Sequence, residues 1–116
     1  MSFEAIKARI DRDPIAAYDQ LMAGNGDDLA KLPAHVHKPI AEFVLLGVPM
    51  GNFLTAVFCN DLRRSVQTAD KKSLKNLAAF GVFLSEGAPA CAVGSPEIIN
   101  AWITRGGLLQ MSKMAA

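Results

Sequence analysis

The sequence predicts an all-α fold: a single domain built as a compact, irregular bundle of five or six helices. Three observations predict it. The 116 residues are 51% hydrophobic and 20% charged, which gives one continuous core at a length inside the usual single-domain range. Apolar residues recur at three- and four-residue spacing through the middle of the chain, and no run alternates convincingly in the manner of a half-buried strand. Helix punctuation is dense, with Ser or Asp caps, prolines at first-turn positions and glycines where the periodic runs end.

In chain order, Ser2 caps a helix running to about Ile10, and Asp13-Pro14 opens a second that Gly24-Asn25-Gly26 ends. These first 31 residues read as an N-terminal helical extension supporting a main body over 32–107. Pro33 and Pro39 delay the next helix to about Val36, which leaves Pro39 in the first turn, where a missing N–H breaks no hydrogen bond. Ile40, Phe43, Val44 and Leu46 carry that helix to Gly47, and Val48-Pro49-Met50-Gly51 forms a turn. Phe53, Leu54, Val57, Phe58, Leu62 and Val66 then predict one helix to about Thr68. Asp70 caps the next, through Leu74, Leu77, Ala78, Gly81 and Leu84 to Gly87, with Gly81 placed to admit a neighbouring helix. Ser95-Pro96-Glu97 opens the last helix, which holds Ile98, Ile99 and Trp102 and stops at Gly106-Gly107. Residues 108–116 form a tail in which Leu108, Leu109 and Met111 are the candidates to dock.

Composition narrows the function classes. No window approaches the roughly 18 uninterrupted apolar residues of a membrane-spanning helix. The opening Met1-Ser2-Phe3-Glu4 lacks the basic cluster and apolar run of a secretory signal, so a cytoplasmic protein is expected. Cys59 and Cys91 stand too far apart for a zinc ribbon or redox pair and read as reduced thiols. A net charge of +1 fits neither an acidic DNA mimic nor a globally basic duplex binder. The distribution is uneven: residues 1–31 hold four positive and six negative charges, and residues 32–116 hold eight positive and five negative.

Four elements of the main body occur in a specific order: Pro33-Ala34-His35; Gly47-Val48-Pro49-Met50-Gly51-Asn52-Phe53-Leu54; Asn60-Asp61-Leu62; and Cys91-Ala92-Val93-Gly94-Ser95-Pro96-Glu97 followed by Trp102. In this order they resemble a group of short proteins encoded by bacteriophages and prophages, over residues 32–107. The group carries an aromatic where this chain has Val93, and residues 1–31 have no counterpart in it. The resemblance implies phage origin, an all-helical body and residence in the cytoplasm of a bacterial host.

Three sets of residues stand out as candidate sites. On a continuous helix from Phe53, at about 100° per residue, Asp61 falls near the middle of the apolar arc. It is therefore expected to be a buried polar anchor, together with Asn60 and His35: a tie between helices first, a general base or ligand contact second. His35 and His37 precede a helix start without converging partners, so no metal site is expected; His35 bonded to backbone and His37 exposed is the reading of the pair. Gly51-Asn52 and Gly94-Ser95 deliver the chain into helix N-termini with small residues and free N–H groups, which makes them anion-binding candidates beside ordinary capping. Arg63, Arg64, Lys71, Lys72 and Lys75 surround Asp70 and form a candidate binding corner, with lysines in a helix's first turn opposing its dipole.

No nucleophile elbow, zinc-protease pair or P-loop is present, so neither an enzyme nor a cofactor is expected. The leading expectation is a phage-encoded binding protein that interferes with a host process, bacterial immunity foremost. It would dock on a defence protein as an anti-CRISPR does, or sequester a nucleotide signal. A nucleic-acid-binding accessory or regulatory protein using the basic corner is the alternative, and a small hydrolase or transferase using Asp61 and His35 is the remote one.

Overall fold

The structure, a computed structural model, describes residues 2–109. The described residues form an all-helical globule without strands. Its α-helices are α1 (Phe3–Arg12), α2 (Pro14–Leu21), α3 (Gly26–Ala30), α4 (His37–Leu46), α5 (Asn52–Phe58), α6 (Leu62–Thr68), α7 (Lys71–Lys75), α8 (Leu77–Glu86) and α9 (Pro96–Arg105). One-turn 3-10 helices at Ala34–Val36 and Ala90–Ala92 lead toward α4 and α9. No described helix is long and apolar enough to cross a membrane.

The starts follow the cap chemistry. Ser2 Oγ accepts from the Ala5 N–H (3.2 Å), Asp13 Oδ1 from Ala16 (3.1 Å), Asp70 Oδ1 from Ser73 (2.7 Å) and Ser95 Oγ from Ile98 (3.3 Å). Each satisfies one N–H that an α-helix leaves without an internal partner. Pro14 and Pro96 occupy first-turn positions, and Gly47 and Gly106 end α4 and α9 in the left-handed region at φ 72° and 91°.

Helix α4 is the centre: six of its ten residues are buried, and α1 and α2 pack on it. Ile6, Ile10, Ala17, Tyr18 and Leu29 join the same core as Phe43, Phe58, Phe83 and Trp102, so the first 31 residues contribute side chains to the main core. Buried polar tips are satisfied. The Tyr18 hydroxyl donates to the Gly87 carbonyl (2.5 Å), and Trp102 Nε1 donates to the Phe43 carbonyl (3.0 Å). Burial, with a smaller contribution from the Asp28 carboxylate, pushes the Tyr18 phenol above its ordinary value. Trp102 is thus fully buried, and its hydrogen bond fastens α9 to α4.

The described chain is cut more finely than five or six helices, at three places. Gly26 starts the short α3, where the glycines were expected only to end α2. The long helix from Phe53 to Thr68 is two helices. Asn60 takes the left-handed conformation (φ 62°), the Asp61 N–H donates to Ala56 O (2.9 Å), and the Asn60 N–H to Val57 O (3.1 Å). That pair of bonds is a Schellman stop with asparagine in the place glycine usually takes. Asp61 then caps α6, accepting from the Arg64 N–H at 3.0 Å. The third cut is at Asn76, which separates α7 from α8. Gly81 meets nothing within 4 Å of where a Cβ would stand, so it admits no neighbouring helix. Leu108 and Leu109 are half-buried and pack on the core, and Met111 lies outside the described residues.

Two outcomes follow. A Cβ on Gly107 (φ 74°) would stand 2.5 Å from the Gly47 nitrogen and 2.8 Å from Leu46 backbone, whereas one on Gly51 would meet open space. Gly107→Ala therefore destabilises by about 2–4 kcal/mol, from overpacking and left-handed strain together, and Gly51→Ala stays within about 0.5 kcal/mol, as denaturant melts will register. Asp61 and Asp70 each cap a helix, but Asp70 also holds His35, at 3.2 Å. Asp70→Ala consequently lowers the melting temperature more than Asp61→Ala; the opposite order in a thermal melt would restore Asp61 as the anchor.

Candidate functional site

Helices α6 and α7 are built inside out. The residues they bury are Ser65 and Ser73, whereas Leu62, Val66 and Leu74 are 68%, 45% and 48% exposed. Leu62 and Val66 are four apart and share one stripe of α6. The inversion follows from the cut at Asn60. In one continuous helix, the phase set by Phe53, Val57 and Phe58 would carry Leu62 and Val66 into the core. The Schellman stop re-aims the axis, so Ser65 faces inward instead. Its hydroxyl is satisfied locally, donating to the Asp61 carbonyl at 2.7 Å.

Arg63, Arg64, Lys71, Lys72 and Lys75 are all exposed on the same two helices. Among the described residues none of the five makes an ion pair. The cations near the N-terminal segment differ: Lys38 lies 2.9 Å from Asp11, Lys7 3.1 Å from Glu42, and Lys31 3.9 Å from Asp28. The Lys38 ammonium holds the Asp11 carboxyl below the usual carboxylate range. The five basic residues of the sequence-predicted corner are thus carried by α6 and α7 and left to solvent. The lysines do not oppose a helix dipole in the way expected, because α7 is five residues long and its first turn is also its last.

The predicted buried anchor does not form. Asp61 and Asn60 are exposed at the α5–α6 junction, because Asn60 supplies a helix stop and Asp61 a helix start, roles that lie at the surface. His35 is exposed as well, and its bond is not to backbone. Its Nε2 lies 3.2 Å from Asp70 Oδ2 and 3.3 Å from Ser73 Oγ, which ties the entry of α4 to α7. The two histidines exchange the expected roles, since half-buried His37 donates from Nε2 to the Leu32 carbonyl at 2.7 Å.

A serine, a histidine and an aspartate in contact invite comparison with a nucleophilic triad, and the geometry separates them from one. In a triad the base takes the serine proton on one ring nitrogen while the acid holds the other. Here both partners converge on Nε2, and a nitrogen that gives its proton to Asp70 has no lone pair for Ser73. Ser73, 1% exposed, is also closed to a substrate. Its backbone and side chain, ahead of His35, hold the Asp70 carboxyl below its ordinary range. Burial, then the Asp61 charge, pushes the Cys59 thiol up, away from the thiolate a nucleophile needs.

The anion-binding candidates fare unequally. The Gly94 N–H is already donated to the Phe58 carbonyl (2.8 Å), and Ser95 spends its hydroxyl on its own helix. Gly51 and Asn52 are exposed at the start of α5, which has no side-chain cap, but α5 is only seven residues long and its dipole is correspondingly small. They border an open recess of about 300 Å³ shared with His35, Pro39, Thr68 and Asp70, whose carboxylate disfavours an anion. No three potential metal-ligating side chains converge among the described residues.

A second recess, of about 170 Å³, opens between α6 and α8, with Val57, Leu62, Leu77, Phe80 and Leu84 among its walls and Gly81 at its edge. Neither this recess nor the apolar side chains beside it is legible in the periodicity, which assigns Leu62 and Val66 to the core.

No protein-family model matches the chain. No curated protein and no solved structure is detectably similar to it either.

Proposed function

We propose that this protein works by binding: it docks on another protein through the α6–α7 face and thereby interferes with a process of a bacterial host, a defence protein being the target. The observation that carries the reading is the inversion of α6–α7, in which three large apolar side chains face solvent while serines face the core. A lone surface leucine needs no explanation, but three exposed apolar residues on helices that also carry unpaired cations give the composition of an interface. The cations steer a complementary acidic surface toward the face and fix its register. The sequence resemblance to phage-encoded proteins supports the bacterial host, and the small size and absence of a catalytic motif favour interference by binding.

Sequestration of a nucleotide receives less support, since the Gly94 N–H and the Ser95 hydroxyl are already engaged and Asp70 borders the remaining recess. A nucleic acid would use the same cations, but it has no need of Leu62, Val66 and Leu74. His35 and Ser73 border that recess too, but both partners of His35 converge on Nε2, which gives a hydrolase no reacting pair.

Site-specific photo-cross-linking tests the reading in bacterial cells. A photoreactive residue in place of Val66 or Leu74 yields a discrete protein adduct, and the same residue in place of exposed Ala101 on α9 does not. The double reversal Arg64→Glu with Lys72→Glu abolishes the adduct while the melt of the purified protein changes little, because exposed substitutions shift stability by only about 0.5 kcal/mol. Equal labelling at all three positions, or an adduct indifferent to the charge reversal, overturns the docking face.

A further inference from the structure

Resting on that docking face, we infer that the recess between α6 and α8 is the pocket for a single bulky apolar side chain, leucine or phenylalanine, carried on an acidic segment of the partner. Three observations converge on it. The first is size. About 170 Å³ is on the order of the ~150 Å³ cavity that accepts a benzene ring, so the recess takes one side chain and not a whole helix.

The second is lining. Val57, Leu77, Phe80 and Leu84 give apolar walls, and Leu62 forms a collar at the mouth, continued outward by Val66 on the same stripe of α6. Three polar residues, Asn60, Asp61 and Ser65, stand beside these walls; Ser65 donates to the Asp61 carbonyl, and the Asp61 carboxylate accepts from the Arg64 N–H. An entering side chain therefore meets mostly apolar surface, which favours an anchor without polar atoms.

The third is Gly81. It sits in the interior of α8, where glycine is disfavoured, with an ordinary helical φ and no atom within 4 Å of where its Cβ would be. Nothing inside the protein uses the missing side chain. What its absence does is hold the rim of the recess open.

The charge of the segment that bears the recess selects the rest of the partner, although Asp61 itself lines the opening. From residue 60 to residue 86 the chain carries Arg63, Arg64, Lys71, Lys72 and Lys75 against Asp61, Asp70 and Glu86, and Asp70 is engaged by His35. An acidic segment flanking the anchor meets complementary charge, and a basic one is repelled. A buried apolar anchor inside a charged rim is the arrangement that concentrates binding energy at one residue.

The test uses a purified probe and the cellular adduct together. The probe is an N-acetylated twelve-residue peptide of aspartate and glutamate with one central phenylalanine, followed by amide chemical shifts of the full-length protein. Expected are shifts at Asn60, Gly81 and Leu84, an affinity at least tenfold weaker for the peptide with alanine in place of phenylalanine, and at least tenfold weaker in Gly81→Leu. The Gly81→Leu protein melts at or above the parent temperature, since leucine is the better helix former and has room; Leu62→Asn, at an exposed position, serves as the second blocking variant. Shifts confined to Arg63, Arg64, Lys71 and Lys72, equal for both peptides, overturn the pocket, as does a single-stranded oligonucleotide that binds there with the recess untouched. In cells, an adduct at Val66 that survives Gly81→Leu overturns the pocket and leaves the docking face standing. Loss of the adduct in that folded variant supports both, and no adduct in the parent protein removes the docking face itself.

Discussion

Backbone touches backbone where α4 ends at Gly47 and α9 ends at Gly106-Gly107, and this contact sets the distance between the two helices. Across it the Trp102 indole reaches the Phe43 carbonyl, which already accepts the Gly47 N–H at 2.9 Å. From Phe43 a chain of buried rings runs through the molecule. Phe43 meets Phe58 edge-on at 5.3 Å, Phe58 lies 6.4 Å from Phe83, and Phe83 lies 5.9 Å from Tyr18, whose hydroxyl closes on the Gly87 carbonyl. One path of aromatic packing thus joins α9, α4, α5, α8 and α2, with a backbone carbonyl satisfying the polar tip at each end. Widening the Gly47–Gly107 approach by even one methyl group would pull the indole away from its acceptor and disturb the ring beneath it.

Helices α6 and α7 lie outside that path. Burying Ser65 and Ser73 removes almost no apolar surface from water, and the side chains whose burial would contribute about 1.5–3 kcal/mol each stay largely in solvent. What holds the segment is local and polar: two aspartate caps, the Schellman stop, the Ser65 hydroxyl and the contact of His35 with Asp70 and Ser73. Few buried apolar contacts and many exposed backbone bonds place this stretch at the low end of local stability. A partner that covered Leu62, Val66 and Leu74 would supply the burial the fold withholds, so that docking and local stability would rise together.

The elements that were legible in the sequence are those with a single local cause. Ser2, Asp13, Asp70 and Ser95 cap where their side chains allow, and Gly47 and Gly106 stop helices because a left-handed residue is required there. The exposure of Arg63, Arg64, Lys71, Lys72 and Lys75 was legible because long charged side chains without an acidic partner stay in water. The Asn60-Asp61 junction was not, because its two signals compete with a periodicity that runs through them unbroken: Phe58 to Leu62 to Val66 keeps a spacing of four. An asparagine that tolerates the left-handed region followed by an aspartate that prefers a cap was the available clue. It outweighs periodicity here because the turn satisfies its own carbonyls with two hydrogen bonds. His35 was assigned to backbone because its true partners lie 35 and 38 residues away, a separation no local pattern encodes.

Misreading that junction and missing the site are one error. Periodicity reports which residues are apolar and in phase; it does not report that a core exists for them to face. Leu62 and Val66 satisfy the pattern of a buried helix, yet the core packs Leu54, Val57 and Phe58 from α5 and Phe80 and Phe83 from α8 without them. What α6 and α7 turn inward instead are the small side chains of Ser65 and Ser73. The apolar residues left over are then constrained by nothing inside the molecule, and the same holds for the missing side chain at Gly81. Where a sequence spends hydrophobic residues and a mid-helix glycine that its own fold does not use, the surface they form is the place to look for what the protein does.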